Sequence, residues 1–591
     1  MTTEGTSSTA ARHTHHPTDR AMWRRDVIKR LDHEGTIPEF SAATRPASRA
    51  SFPRVETVGV MEADTTFLVS KATNNPDRLF LGYCFAGRDY IHGSSGAEAY
   101  TKHTGNTIEA GEDGCYITGV RVGSRHRLAT DYWGYKKLFY FHDREFWAVS
   151  NSILRLVQHL RERGIRVLPN YAQLAAMTGG TPTRQLSSFA TPADGVHLLP
   201  PDCSLEIGDD KAILHREVRA RGRGDYRERL SEFAETWISR IETLLVHSRM
   251  RLSSDLTGGM DSRCVFALLL HALHRLGGQQ EAALRVNCGA IKGDMRDLKI
   301  ATRICARYGT PLNSELLPAM RRTGLEAYSA WKHLCLGQYG PVYFPNASMD
   351  PELVCLMGGG GENVRRFYPD ESIDAFAARC ASSITVPWLR HQFTDDIFRA
   401  MEYIRGSQPV HNDLILHYTY FRSRFHAGRA PQYRTVFNPL GSRLLAETAE
   451  AAGFERVDVS QLHYDIMSTQ PDLLRIPFGD PSAAPSARVL SGLTDISVSQ
   501  QPNPGKVFID PPTSHEPSGD SAAPLVCFQR EFRAARANSF VRDFLGEPYL
   551  QKADTALTAA VANGRFRHAN DGQPAGVALA ALALAGSFRD Q

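Results

Sequence analysis

Leu256-Thr257-Gly258-Gly259-Met260-Asp261-Ser262-Arg263 is the stretch that decides how this chain is read. Cys264-Val265-Phe266-Ala267-Leu268-Leu269-Leu270 follows at once and predicts a buried helix. Two glycines directly before a helix let the backbone come close to a ligand and take conformations closed to residues with a Cβ. The unpaired N–H groups of a helix's first turn point at whatever lies there, and the helix dipole favours an anion. Thr257 and Ser262 add hydroxyl donors, so Thr-Gly-Gly-x-Asp-Ser reads as a phosphate cradle. Asp261 alone would repel a phosphate, a conflict that a Mg²⁺ between them would reconcile. An ordinary strand-to-helix turn with a Gly pair and an Asp/Ser cap is the plainer alternative, and two glycines by themselves would favour it. The complete string tips the reading to nucleotide binding. Neither GxxxxGK[ST] nor GxGxxG occurs in this region, which disfavours a P-loop kinase and a dinucleotide-binding dehydrogenase.

Outward from this turn, strand-like and helical segments alternate. Arg229 to Val246 carries Leu230, Phe233, Trp237, Ile241, Leu244 and Leu245 on one helical face. Leu284-Arg285-Val286-Asn287-Cys288 reads as a strand, followed by Asp294-Met295-Arg296-Asp297 and the helical Ile300-Ala301-Thr302-Arg303-Ile304. That alternation predicts an α/β fold with a parallel sheet. Leu353-Val354-Cys355-Leu356 then runs into a second Gly-rich stretch, Met357-Gly358-Gly359-Gly360-Gly361-Glu362-Asn363-Val364-Arg365-Arg366-Phe367-Tyr368. Beyond Gly309 the chain is otherwise mostly helical, and residues 500–524, rich in Pro, Ser, Gly and Asp, read as a mobile loop. Earlier, Phe67–Ser70, Leu79–Tyr83, Gly114–Val120 and Leu138–Phe141 read as short strands between turns. The expected organisation is a polar leader over 1–50, a strand-rich domain over 51–220, and an α/β domain over 225–591.

The 591 residues, 42% hydrophobic and 22% charged, exclude a wholly disordered or collagen-like chain. With 68 Lys plus Arg against 64 Asp plus Glu, a net charge of +4 points to neither a nucleic-acid nor a membrane partner. Ten scattered cysteines without a CxxC pair fit a reducing cytoplasm, the expected location. Gly576 to Ala585 is apolar over about half a membrane span and predicts a buried helix.

The string at 257–262 resembles the pyrophosphate loop of the N-type ATP pyrophosphatases, and its flanks are similar to the asparagine synthetase family with its β-lactam synthetase and lasso-peptide cyclase relatives. The resemblance implies an ATP- and Mg²⁺-dependent ligase that adenylates a carboxylate, releases pyrophosphate and couples the acyl group to an amine. It implies nucleotide contacts at Leu256, Thr257, Gly258, Gly259, Asp261, Ser262, Met357, Gly358 and Gly360, with adenine against the backbone around Val286. Asp261 and Glu362 would bind Mg²⁺. Glu362 stands where the family has Asp, Asn363 where it has Glu, and Arg366-Phe367 where it has Gly-Gly before Tyr368. Tyr433 to Leu440 resembles the family's Arg-x-Pro-Phe-Leu-Asp stretch. Lys506 is the candidate for the lysine that stabilises transition-state charge, and Glu362 joins it as a candidate catalytic residue.

Residues 55–218 resemble the family's glutaminase-type N-terminal domain of the αββα, N-terminal-nucleophile kind. Asp131-Tyr132-Trp133-Gly134-Tyr135, Ala148–Ile153 and Gly195–Pro201 echo its motifs. A working glutaminase needs an N-terminal Cys as nucleophile, whereas Met1 is followed by Thr2 and the first Cys is Cys84. The expectation is a glutaminase-inactive domain and an amine drawn from a small-molecule or peptide substrate, in specialised metabolism. A lasso-peptide isopeptide cyclase and a non-catalytic ATP-binding scaffold remain as alternatives, and a homodimer stays open.

Overall fold

Parallel strands with a Gly turn after them form where short apolar segments alternate with helices, and this chain does so around residue 255. The structure is a computed structural model describing residues 66–585 apart from 74, 218–223, 279–282, 290–294, 315–323, 348, 407–411 and 511–522. The expected leader over 1–50, Asp294 and most of the second half of the 500–524 stretch lie outside the described residues.

The fold is α/β, with mixed sheets that include a parallel one. Strands β1 (Leu68–Ser70), β2 (Arg78–Ala86), β3 (Asp89–His92), β4 (Asp113–Val122) and β5 (Arg125–Thr130) open the described chain. They are followed by β6 (Phe139–His142), β7 (Trp147–Ser150), β8 (Val196–Leu198), β9 (Cys203–Ile207) and β10 (Ala212–Arg216). These build an antiparallel four-stranded sheet, β1-β7-β6-β8, and six strands of a seven-stranded sheet, in the order β10-β9-β5-β4-β2-β3. Val69, Ile117, Leu128, Trp147, Val149 and Leu205 fill the space between the two sheets. Helix Gly93–Thr104 packs Tyr100 against Phe80, Cys84 and Ile91 of the larger sheet, and helix Ile153–Glu162 packs against Phe139 and Ala148 of the smaller one.

The last strand of the larger sheet, β15 (Val507–Ile509), comes from within the stretch expected to be a mobile loop. It pairs parallel with β3, Phe508 opposite Ile91. Asp510 then accepts a hydrogen bond from the Gly96 N–H at 3.0 Å, in the first turn of helix Gly93–Thr104, where the preceding His92 supplies no side-chain cap.

The third sheet is wholly parallel: β11 (Arg251–Asp255), β12 (Leu284–Asn287), β13 (Leu353–Leu356) and β14 (Val436–Phe437), in the order β12-β11-β13-β14. The predicted helices appear as Tyr226–Val246, Met260–Arg275 and Arg296–Tyr308, and the apolar stretch near 580 as the buried helix Gln573–Ala585. No helix among the described residues is long and apolar enough to cross a membrane.

The strand-rich part and the parallel sheet share one core. Tyr83, Phe85 and Tyr90 pack with Phe233, Trp237, Leu252 and Phe437. From residue 66 onward the described chain forms a single compact unit.

Candidate functional site

The order β12-β11-β13-β14 places a topological switch point between β11 and β13, because the chain leaves β11 to build β12 on one side and returns to build β13 on the other. Loops at the carboxyl ends of the two strands flanking such a point diverge and leave a crevice. Both Gly-rich stretches are those loops. The first joins β11 to helix Met260–Arg275, and the second joins β13 to the short turn Gly361–Val364.

The first loop is wound up by its own side chains. Leu256 is buried, and its N–H donates to the Asn287 carbonyl at 2.9 Å. The Thr257 N–H donates to Ser262 Oγ at 3.0 Å, the two hydroxyls lie 3.1 Å apart, and the Gly259 N–H donates to Thr257 Oγ1 at 3.1 Å. Asp297, in the first turn of the next helix, accepts the Gly258 N–H at 2.9 Å. Neither glycine has a positive φ, contrary to the expectation of conformations closed to other residues. Gly258 is needed for space instead: a Cβ there would lie 2.8 Å from Asp297 Oδ1 and 3.0 Å from the Gly479 Cα. At Gly259 a Cβ would meet only Thr257 Oγ1, at 3.2 Å. No side chain caps the helix at Gly259.

Arg263, one residue past the motif, is fully buried and donates to the carbonyls of Leu473, Ile476 and Pro477 while stacking on Phe478 at 4.0 Å. With the Gly479 N–H on the Gly258 carbonyl at 2.9 Å, this fixes residues 473–479 beside the loop. Burial lowers the Arg263 guanidinium to about 10.

The second loop docks on the first. The Met357 N–H donates to the Phe437 carbonyl at 3.0 Å, and a Cβ at Gly358 would lie 2.9 Å from the Ser262 nitrogen. Gly360 takes φ +85° with Gly441 and the Tyr135 hydroxyl against it, so both backbone conformation and space demand glycine. Tyr135 belongs to the strand-rich part, whose Asp131 turn therefore reaches this loop.

Asp261 and Glu362 converge on one guanidinium. Arg365 Nη2 lies 3.2 Å from Asp261 Oδ2 and 3.5 Å from Glu362 Oε1. His463 Nε2, on a fully buried ring, lies 3.1 Å from Asp261 Oδ1. Burial pushes the Asp261 carboxyl up, but the His463 hydrogen bond and the charges of His463 and Arg365 outweigh it and hold the group below the ordinary aspartate range. Burial, reinforced by the Asp261 charge, raises the Glu362 carboxyl. Two carboxylates suit Mg²⁺, which takes hard oxygen donors and commonly uses one or two carboxylates plus phosphates and water. Among the described residues no group of three or more His, Cys, Asp or Glu is arranged to hold a metal by itself. The donor set therefore fits a Mg²⁺ shared with a phosphate, at a place where Arg365 now lies.

The other expected residues divide. Val286 is buried in β12, and its carbonyl accepts the Asn313 N–H at 2.7 Å, so residues 312–313 run alongside it. Lys506 is not brought to Asp261 and Glu362. Its Nζ lies 2.6 Å from His103 Nε2, and its backbone joins Asp89 and Tyr90 at the edge of the seven-stranded sheet. Asp297, Arg263, Tyr135 and His463 were not singled out from the sequence. Only Asp297 carried a usable signal there, an acid at the start of the helix after the second parallel strand. No protein-family model matches the chain, and no curated protein matches it.

Proposed function

We propose that this protein is an ATP- and Mg²⁺-dependent amide synthetase resembling the asparagine synthetase superfamily, which adenylates a carboxylate and couples it to an amine without hydrolysing glutamine. The observation that carries this reading is the pairing of two Gly-rich loops across the β11–β13 switch point, with Asp261 and Glu362 within reach of one cation. In the proposed reaction a carboxylate oxygen attacks the α-phosphorus of ATP and pyrophosphate leaves. The amine nitrogen then attacks the acyl carbon, AMP leaves and the amine sheds a proton.

The first turn of helix Met260–Arg275, with Thr257, Gly258, Gly259 and Ser262, would bind the departing pyrophosphate. Asp261 and Glu362 would hold Mg²⁺, which when bound supplies charge neutralisation to the phosphates. Buried Val286 would offer the adenine a wall. Arg263 and residues 473–479 keep the loop in register, and Tyr135 buttresses the second loop from the strand-rich part.

The packing of residues 66–217 as helix, sheet, sheet and helix supports a glutaminase-like ancestry for that part. Cys84, Cys115 and Cys203 are buried there, and burial raises each thiol, so none of the three is presented as a nucleophile. One observation favours a second reading, a non-catalytic nucleotide-binding relative: the Gly258 N–H is already taken by the Asp297 carboxylate.

Purified protein incubated with ATP, Mg²⁺ and a pooled carboxylic-acid library decides between them. Acid-dependent AMP and pyrophosphate, lost in Asp261→Ala, are expected. Release of ADP and phosphate, or turnover that survives Asp261→Ala, overturns the synthetase reading, and nucleotide binding without any turnover supports the second.

A further inference from the structure

Arg365 stands out among the charged side chains near the loops because its position joins rather than merely neighbours the two carboxylates. One nitrogen, Nη2, serves both Asp261 and Glu362. Its own Nε is buried without a well-aligned hydrogen bond, as is Asp261 Oδ1 beyond the His463 contact. A buried donor without a partner is costly, so the arrangement holds a guanidinium that gains by moving to a better set of acceptors. Both carboxylates and Arg365 remain about one-fifth exposed, which leaves the side chain a way out. The adjacent Arg366 is engaged elsewhere, on Asp370 and Asp458.

We propose that Arg365 is a resident counter-cation that occupies the place of a divalent metal ion between Asp261 and Glu362, so that a metal binds only as the guanidinium is displaced. This rests on the nucleotide-site reading for one consequence alone: phosphate oxygens are the acceptors a released guanidinium would take. Metal and nucleotide then bind together, and the metal binds weakly by itself. Displacing the arginine removes one positive charge from contact with the two carboxylates, while His463 stays on Asp261, so the site becomes more negative by one and attracts a divalent ion more strongly. The arrangement is a metal gate built from charge rather than from a moving lid.

The test is Mn²⁺ binding to the full-length protein without nucleotide, followed by the electron paramagnetic resonance signal of the free ion. Arg365→Gln is expected to tighten Mn²⁺ binding about tenfold or more, since a like charge has been removed from contact distance. Arg366→Gln, which removes a charge one residue away, is expected to stay within about twofold of wild type because its partners are different carboxylates. Adding Asp261→Asn to Arg365→Gln should abolish the gain. Unchanged or weaker Mn²⁺ binding in Arg365→Gln overturns the proposal, as does equal tightening in Arg366→Gln.

If Arg365→Gln does not fold, Arg365→Lys asks the same question. An ammonium keeps the charge but lacks the planar fork, so partial tightening supports displacement and none opposes it. ATP binding measured on the same proteins separates the two readings. Tightened Mn²⁺ binding without any ATP binding overturns the synthetase reading alone. Acid-dependent pyrophosphate release with unaltered Mn²⁺ affinity overturns the gate alone.

Discussion

Two of the places where arginines meet carboxylates invite comparison, the junction of the strand-rich part with the parallel sheet and the Gly-rich loops. At the junction, Arg240 Nη1 lies 2.7 Å from Asp113 Oδ2, its Nε donates to the Gly87 carbonyl at 2.7 Å, and the guanidinium packs over Trp237. Asp113 spends its other oxygen on the Arg443 N–H at 2.8 Å. Both side chains are about 5% exposed. At the loops, one nitrogen of Arg365 is split between two carboxylates and Nε has no aligned partner. The first arrangement is complete and therefore static. The second leaves polar capacity unspent where two loops diverge, which is how a site differs from a rivet.

The largest expected effect comes from breaking the rivet. Asp113→Ala leaves a buried guanidinium unpaired, and stability should fall by about 3–5 kcal/mol, as read by urea denaturation. Nucleotide turnover per folded molecule should not change. A fall under about 1 kcal/mol would mean that the junction is no more demanding than a surface pair.

Next come the two glycines, which look equivalent in sequence and are not in space. Gly258→Ala drives a methyl into Asp297 and the Gly479 backbone, so overpacking should cost about 1–3 kcal/mol together with nucleotide binding. Gly259→Ala should cost less than about 1 kcal/mol, the only near atom being Thr257 Oγ1. Equal losses in the two variants would show that conformation, not room, selects both.

A third prediction sharpens the contrast through pH. Lys137, close to the junction, is fully buried and donates to the carbonyls of Tyr135 and Gly428 at 3.1 and 3.2 Å. Burial lowers it to about 7, against about 10.4 in an unfolded chain. Between those values the unfolded chain carries the extra proton, so this group's contribution is fully present above about pH 10 and is lost as the pH falls through 7. Wild type should therefore gain stability relative to Lys137→Met from pH 7 to pH 10, at no more than about 1.4 kcal/mol per pH unit. Parallel pH profiles for the two proteins would show that the lysine does not titrate in that window.

The smallest expected effect is at Lys506. Held at the edge of the larger sheet by Asp89 and His103, it should tolerate substitution by Ala with turnover changed less than about twofold. A loss of about a hundredfold would instead mean that the segment leaves β3 to complete the site during turnover.

What the sequence made legible was local. The turn at 256–262 with the helix after it, the strand at 284–287 with its helix, and the strand at 353–356 running into a Gly-rich loop follow from periodicity and glycine placement, and the structure forms them. Partnerships set by distant packing were not legible. His463 meets Asp261 across about two hundred positions, and nothing in Gln461-Leu462-His463 distinguishes it from any buried helix. Arg365 was readable as a departure from the family pattern but not as the group that joins two carboxylates. Strand β15 has only three residues, and Asn503-Pro504-Gly505 ahead of it argues for a loop. It becomes a strand because β3 offers an unpaired edge.

That late strand has a consequence for how the chain is made. Gly96 and the Asp510 that caps it are 414 positions apart. At translation rates of roughly 5–20 residues per second, the edge of β3 emerges from the ribosome roughly 20–80 s before its partner exists. For that interval the nascent sheet presents an open row of backbone donors and acceptors to any neighbouring chain. Expression yield should therefore depend on what shields β3 during synthesis, and chains stopped before residue 500 should accumulate as aggregates.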